Sequence, residues 1–259
     1  MMTDLIKRLV LPYKDIFTTV YLIKTAKGAI LFDTASYDED IDNAIIPFLA
    51  KNDVTAKTLK YVFISHNHTD HVGGLKRFMQ IYPDTCIVSR SDALAENYKA
   101  YQVYSPKDGD LLLDTLQVVT IPGHTRDSAA LFDTRTKTLI TGDSLQSYGI
   151  VGSEDWACNI TRPKEHFEAL EKVRTLNATN IFAAHDYYPY GYKAIGEGEV
   201  ARVLDACIAP LEHLQKIILQ NSALDDSSVR EIYNSTEHIP TIRESVVAAM
   251  RRYLNEKEK

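Results

Sequence analysis

The sequence contains little cysteine and no apolar run of the length that crosses a membrane. Only 3 of its 259 residues are cysteine, an odd number and too few to cross-link a chain of this length, which favours a reducing compartment. The opening residues MMTDLIKRLVLPYKD lack the continuous apolar stretch of a secretion signal. We therefore expect a cytoplasmic protein that does not bind a membrane, with its cysteines buried as small apolar residues.

Basic residues are fewer than acidic residues. The chain has 29 Lys and Arg residues against 35 Asp and Glu residues, which gives a formal net charge of -6. Because binding to nucleic acid without sequence preference needs a basic surface that neutralises phosphates, we expect no nucleic-acid partner. A small-molecule substrate is the expectation instead, and homodimerisation is left open.

Apolar runs alternate with amphipathic stretches along the chain, and no internal repeat or low-complexity tract interrupts them. Runs rich in β-branched residues predict strands at residues 16–24, 29–33, 59–65, 86–89, 116–121, 129–132, 138–141 and 180–184. Apolar residues at helical spacing predict helices from residue 38, near His71 and from Pro163. Beyond Glu199 the pattern is helical, with a kink or break predicted at Pro210. This order indicates an α/β protein in which each of two blocks of strands is followed by helices.

The segment HNHTDH, residues 66–71, carries the strongest chemical signal. Alternate side chains of an extended segment point the same way, so His66 and His68 can bind one metal ion. Asp70 and His71 stand where the chain turns into a helix and are directed at a second position, while the glycines at 73 and 74 allow that turn to pack closely. Two ions about 3.5 to 4 Å apart can share one loop of this kind.

Three more candidate ligands follow predicted strands, where side chains from separate segments can converge at one rim of a sheet: His124, Asp143 and His185. One three-residue site would then consist of His66, His68 and His124. The other would consist of Asp70, His71 and His185. Asp143 would bridge the two ions. We expect two divalent metal ions, zinc first, with manganese or iron as alternatives. The remaining histidines are interpreted as surface or hydrogen-bonded residues: His166, His213 and His238.

The HNHTDH motif, followed at these intervals by His124, Asp143 and His185, strongly resembles the metallo-β-lactamase superfamily of metal-dependent hydrolases. The resemblance covers roughly residues 15–190 and implies an αββα sandwich with the metal site at one edge of its two sheets. It also implies that Asp33, at a strand end, supports the HNHTDH segment without itself binding metal. We expect a catalytic domain at residues 1–195 and a helical C-terminal extension packed on it at residues 196–259.

This set of ligands predicts hydrolysis without a serine or cysteine nucleophile. Two ions that share a water lower its pKa enough to supply hydroxide near neutral pH. We expect the bridging hydroxide to attack a carbonyl carbon whose oxygen is polarised by one ion, while the other ion stabilises the leaving group. The predicted catalytic residues are Asp70, as a proton relay, and Asp143, as the ligand shared by the two ions.

Residues outside the metal ligands select the bond that is cut. Loops of the sequence supply the predicted substrate contacts, whose aromatic members suit a partly apolar substrate: Arg126, Gln146, Tyr148, Tyr188 and Tyr190. The alternative interpretation is that the tyrosines pack their loop against the C-terminal helices.

Branches of the superfamily differ at single positions. The β-lactamases have Cys or no bridging acid where Asp143 stands, the flavodiiron branch has Glu at His68, and the acyl-homoserine lactonases have Tyr at Gln146. The layout is nearest to the glyoxalase II branch, which implies an ester, thioester or lactone substrate. Three alternatives stay open: a metal-dependent phosphodiesterase, for which Arg126 is the only evident cation, a mononuclear-iron sulfur oxygenase, and an interaction platform that binds no metal.

Overall fold

The structure is a computed structural model, which describes residues 5–236 and 241–257. The chain folds into two compact units. Unit 1 comprises Met1–Thr120 and Ala129–Thr136, and unit 2 comprises Ile121–Ser128 and Lys137–Lys259. The domain boundary expected at residue 195 stays a prediction.

Unit 1 contains a mixed sheet of six strands, namely β1 (Ile6–Tyr13), β2 (Ile16–Thr25), β3 (Gly28–Phe32), β4 (Leu59–Phe63), β5 (Cys86–Val88) and β6 (Val103–Tyr104). The strands lie side by side in chain order. β1, β2 and β3 are antiparallel and follow one another through short turns. β3 to β6 are parallel, so longer connections cross between them. The same unit contains an antiparallel meander of β7 (Leu111–Leu112), β8 (Leu116–Thr120) and β9 (Ala129–Asp133).

The helical segments of unit 1 are α1 (Asp38–Asp40), a π-helical turn (Ile41–Ile45), α2 (Ile46–Lys51), α3 (Thr69–Val72), α4 (Leu75–Ile81) and α5 (Asp92–Asn97). They contribute to one core with the sheet, which includes Leu22, Leu31, Leu49, Val62 and Phe78. Burying a side chain of this size contributes roughly 1.5–3 kcal/mol. This core therefore holds the strand ends of unit 1, where the HNHTDH segment begins, in fixed positions.

Unit 2 contains β10 (Thr138–Ile140), β11 (Asn180–Tyr187) and β12 (Gly191–Ile195), with β10 and β11 parallel and β11 and β12 antiparallel. The crossover from β10 to β11 contains α6 (Pro163–Thr175), which begins with proline at its first turn as predicted. Three further helices complete the unit: α7 (Glu197–Gln220), α8 (Asp226–Thr236) and α9 (Glu244–Lys257).

The last three helices share a core that also includes part of the connection before α6. Its members include Cys158 and Ile160 together with Leu214 of α7, Tyr233 of α8 and Val247 of α9. Of the two outcomes predicted at Pro210, the break is wrong, because α7 continues through that residue, and the kink stays a prediction. Burial of the helix on both sides of the proline offsets the missing backbone hydrogen bond.

The cysteines follow the expectation in part. Cys158 and Cys207 are buried, whereas Cys86 is half-buried. Burial raises the pKa of the Cys158 thiol to about 12. Across residues 5–236 and 241–257, no helix combines the length and the apolar character needed to cross a bilayer.

Candidate metal centre

Unit 1 carries the HNHTDH segment just beyond the carboxyl end of β4. His68 has extended backbone angles, φ −99° and ψ 151°, and α3 begins at the next residue. His66 Nε2 lies 3.0 Å from His68 Nδ1. The His66 ring is buried and the His68 ring is partly exposed. The two imidazoles therefore present nitrogen atoms to the same region, with one edge accessible.

The other two candidate ligands of this segment, Asp70 and His71, lie in α3. His71 Nε2 is 3.2 Å from Asp70 Oδ2, and both side chains are largely buried. Their backbone is held by one threonine of β2 and one from the loop after β3, because Thr18 Oγ1 donates to the Asp70 carbonyl and Thr34 Oγ1 donates to the His71 carbonyl, each at 3.1 Å. These two hydrogen bonds fix the backbone at the start of α3.

Asp33 lies directly under this loop. It is fully buried and accepts hydrogen bonds from the Ser65 N–H at 2.7 Å and the Ser65 hydroxyl at 2.8 Å. Its Oδ2 is also 2.7 Å from His71 Nδ1. A proton on Nδ1 completes that contact and leaves Nε2 of His71 for a metal ion. Burial raises the pKa of the Asp33 carboxyl, and the neighbouring His71 and Ser65 oppose this effect.

Unit 2 carries the other three predicted ligands, each just after a strand or within one. Asp143 Oδ1 is 3.2 Å from His185 Nε2, and Asp143 Oδ2 is 3.8 Å from His124 Nε2. All three side chains are buried. The two oxygens of this one carboxylate therefore face two different imidazoles.

His124 is held in place by close packing against α6. The preceding Gly123 has a φ of 155°, and a Cβ on it would lie 2.8 Å from the Cβ of His166. His166 is buried and its Nε2 lies 3.2 Å from the carbonyl oxygen of Cys207, in line with the hydrogen-bonded role predicted for it. Burial lowers the pKa of His166 to about 4. His213 lies beside the ring of Tyr233, and His238 is outside the described residues.

The donor atoms fit divalent metal ions. Around a tetrahedral zinc with bonds of about 2.0–2.1 Å, neighbouring ligand atoms are about 3.3 Å apart. The contacts between neighbouring ligands within unit 1 measure 3.0 and 3.2 Å, and those within unit 2 measure 3.2 and 3.8 Å. The histidine and aspartate clusters are therefore compatible with binding metal ions.

The predicted substrate contacts all lie in unit 2 and differ in exposure. Arg126 is exposed, and so are Tyr188 and Tyr190, at 50% and 40%. Tyr148 is half-buried, and its N–H donates to the Tyr188 carbonyl at 3.4 Å. Gln146 is only 3% exposed and its amide contacts the ring of His124 at 3.1 Å. Their role in binding substrate stays a prediction.

The residues that hold the ligands, apart from Asp33, were not predicted from the sequence. Three buried residues donate hydrogen bonds to Asp33 or to the backbone of the HNHTDH segment: Ser65, Thr18 and Thr34. Their signal is a polar residue inside or beside an apolar run, as in IFTTV and FISH. A buried hydroxyl needs a partner, so these positions indicate a polar network at the strand ends.

Comparison with known proteins identifies the family. A model of the metallo-beta-lactamase superfamily matches residues 13–185, more than half of the chain. The chain belongs to this superfamily. The resemblance inferred from the HNHTDH motif is thereby confirmed.

Curated relatives of this chain are named hydroxyacylglutathione hydrolase, another name for glyoxalase II. A hydroxyacylglutathione hydrolase of Francisella tularensis subsp. holarctica is 26% identical over 176 residues, which cover 65% of this chain and 62% of the relative. One of Francisella philomiragia is 27% identical over 165 residues, with 59% and 61% covered. The chain thus spans about three fifths of the length of these relatives.

Several solved structures have the same fold as this chain. A metallo-beta-lactamase family protein from Thermus thermophilus aligns with all of this chain and 95% of its own, at a TM-score of 0.67 and 20% identity. Rubredoxin oxygen:oxidoreductase from Desulfovibrio gigas covers 95% of this chain and 73% of its own, at a TM-score of 0.65 and 14% identity. The metallo-beta-lactamase DIM-1 covers 79% and 94%, at a TM-score of 0.61 and 15% identity. The predicted fold class, an αββα sandwich of the metallo-β-lactamase type with C-terminal helices, is confirmed.

Proposed function

We propose that the protein is a metal-dependent hydrolase that breaks the bond between the acyl carbon and the leaving oxygen or sulfur in an ester, thioester or lactone of a small molecule. The observation that carries the proposal is the carboxylate of Asp143, whose two oxygens face the imidazoles of His185 and His124 at 3.2 and 3.8 Å. A carboxylate between two imidazoles suits a site with two metal ions. Membership of the superfamily supports the same conclusion.

Seven side chains would hold the two ions. We assign His66, His68 and His124 to the first ion, and Asp70, His71 and His185 to the second. Asp143 would bind both. Zinc is the first choice because tetrahedral zinc accepts imidazole and carboxylate ligands, and manganese or iron are the alternatives.

Such a pair of ions supplies, when bound, a nucleophilic water near neutral pH and an electrophile for the carbonyl oxygen. The side chains of the protein do the rest. Asp33 holds His71 through its Nδ1 and so fixes the direction of Nε2. Asp70, at the start of α3 and 9% exposed, is the group placed to pass a proton to the leaving atom.

The substrate class we favour is a thioester. Its support is the name hydroxyacylglutathione hydrolase carried by the matched relatives. The exposed rings of Tyr188 and Tyr190 and the exposed guanidinium of Arg126 would suit a substrate with both apolar and anionic parts.

The test combines metal analysis with a substrate screen. Purified protein is expected to hold two zinc or manganese ions and to hydrolyse thioesters, lactones or aryl esters but not phosphodiesters. Asp143→Ala should lower kcat/KM by about a hundredfold or more, because both ions lose a shared ligand. Glu168→Ala, which removes an exposed carboxylate from α6, is the matched control and should keep full activity.

The alternatives predict other results. Phosphodiester hydrolysis without hydrolysis of esters, thioesters or lactones would indicate a phosphodiesterase, and one iron with oxygen consumption on a sulfur substrate would indicate an oxygenase. Full turnover by the Asp143→Ala protein would contradict the bridging role, and failure to bind any metal would reject the hydrolase.

A further inference from the structure

Beside the candidate ligand His124, two loops of unit 2 make a partly buried contact that has no role in the proposed reaction. Its partners are Gln146, just after β10, and Asn159, in the connection before α6. Gln146 Oε1 accepts a hydrogen bond from the Asn159 N–H at 2.7 Å. The Asn159 carbonyl oxygen lies 2.8 Å from His124 Nδ1. Gln146 Nε2 lies 3.1 Å from the same nitrogen.

The position of Asn159 is set by the C-terminal helices. Its neighbours Cys158 and Ile160 belong to the core that these helices form. Trp156, three residues earlier, stacks under the guanidinium of Arg243 at 4.8 Å. The carbonyl that faces His124 is therefore anchored from a part of the chain that contributes no metal ligand.

The orientation of the Gln146 amide follows from the same contacts. Because the Asn159 N–H is a donor, the amide must turn its oxygen toward it and its NH2 group toward His124. Rotating the amide by half a turn would place the NH2 group against the Asn159 N–H. With 3% of Gln146 exposed, water cannot readily replace either partner.

These two contacts make opposite demands on His124. The Asn159 carbonyl requires a proton on Nδ1, whereas the Gln146 NH2 group requires Nδ1 to be bare and the proton to sit on Nε2. Metal binding through Nε2 is compatible only with the first form. One tautomer of His124 therefore binds metal, and the other is stabilised by Gln146.

We propose that Gln146 is a positioning residue that controls the tautomer of His124, and through it the affinity of this ligand for metal. The inference rests on the proposed function only in taking His124 as a metal ligand. In the metal-free protein both tautomers are populated. Glutamate at position 146 would offer acceptors to Asn159 and to His124 Nδ1 together, so only the metal-binding tautomer would satisfy it.

Nitrogen NMR of the metal-free, full-length protein at pH 8 tests the proposal directly, because the shifts of the two ring nitrogens differ between tautomers. The His124 signal is assigned from its loss in His124→Asn. We expect a mixture in the natural protein and mainly the Nδ1–H form in Gln146→Glu and in Gln146→Met. Identical tautomer populations in all three proteins would overturn the proposal.

Amide hydrogen exchange separates the two contacts of Gln146. In Gln146→Met the Asn159 N–H loses its acceptor and should exchange about tenfold faster or more. In Gln146→Glu it keeps an acceptor and should stay protected. Since methionine is uncharged and similar in volume to glutamine, this arm remains informative if the buried glutamate prevents folding. Unchanged exchange at Asn159 in the methionine protein would contradict the assigned contact.

Zinc titration gives the functional consequence. Gln146→Glu should bind zinc about tenfold more tightly at pH 8, in the range expected for a changed partner of a metal-binding histidine. Gln80→Glu makes the same chemical change at an exposed position of α4 and should leave the affinity unchanged. If the natural protein binds no zinc, the proposed function fails while the NMR result still decides the tautomer. If zinc binds equally to all proteins, the inference fails alone.

Discussion

Asp33 connects the sheet of unit 1 to the loop that carries four of the seven candidate ligands. It follows β3 with a φ of 65°, a conformation that aspartate adopts more readily than most residues. Its Oδ1 accepts a hydrogen bond from the Ser65 N–H. Its Oδ2 accepts one from the Ser65 hydroxyl and also contacts His71 Nδ1. A buried carboxylate in this position keeps the ring of His71 from rotating and keeps its Nε2 available.

Asp33→Asn should weaken zinc binding about 10- to 100-fold, because the amide nitrogen cannot accept a hydrogen bond where the carboxylate oxygen did. Isothermal titration of the metal-free protein measures the change. Asp53→Asn is the matched control, since Asp53 also has a positive φ, of 58°, but is exposed. Zinc binding by Asp33→Asn as tight as that of the natural protein would remove the supporting role of this residue.

The clustering of the candidate ligands was predictable from their spacing, whereas most of the residues that hold them in place were not. His66, His68, Asp70 and His71 stand within six residues, so local geometry alone pairs them. Ser65 meets Asp33 only because β3 and β4 are parallel with Phe32 opposite Phe63. That register depends on packing between segments about thirty residues apart, and one sequence does not contain it.

At the scale of elements, the turn between α3 and α4 fits tightly against the loop that follows β3. A Cβ at Gly73 would lie 2.0 Å from the carbonyl oxygen of Ser36, and one at Gly74 would lie 2.4 Å from that of Thr34. Both contacts are with backbone, which cannot rotate away. The predicted close packing of this turn is confirmed.

Gly73→Ala should lower the free energy of unfolding by about 1–3 kcal/mol, because the loop or the helix has to move to admit one methyl group. Urea denaturation measures the loss. Gly198→Ala in α7, where nothing lies within 4 Å of the added carbon, should leave stability unchanged or raise it by up to about 1 kcal/mol. Equal effects of the two substitutions would show that the turn yields easily.

The strands that were predicted from the sequence are the ones with buried, β-branched runs. β1 was missed because Lys7, Arg8 and Pro12 interrupt its apolar pattern, and as an edge strand it has a neighbour on one side only. β6 and β7 have two residues each, too few for any periodicity. Such strands exist because a neighbour offers hydrogen bonds, which is information from the fold and not from the segment.

At the scale of the whole molecule, stability should depend on pH through His166. Burial lowers the pKa of this histidine to about 4 in the folded protein, against about 6.5 in an unfolded chain. Between these values the unfolded state binds more protons, so stability is complete above about pH 6.5 and falls as the pH drops toward 4.

The expected loss from this one group is at most about 3 kcal/mol. His166→Gln retains a donor for the Cys207 carbonyl and has no proton to gain, so its unfolding free energy should fall less steeply over the same pH range. Chemical denaturation of both metal-free proteins at several pH values between 4 and 7 gives the comparison. Parallel curves would mean that His166 titrates normally.

Arg243, the residue before α9, and Trp156, in the connection before α6, stack at 4.8 Å, and Trp156 is the only tryptophan of the chain. The fluorescence of Trp156 should therefore change when the C-terminal helices lose contact with the loop beside His124. Detachment of those helices could be timed by emission alone, without attaching a dye, and compared with the moment at which a metal ion added to the protein dissociates.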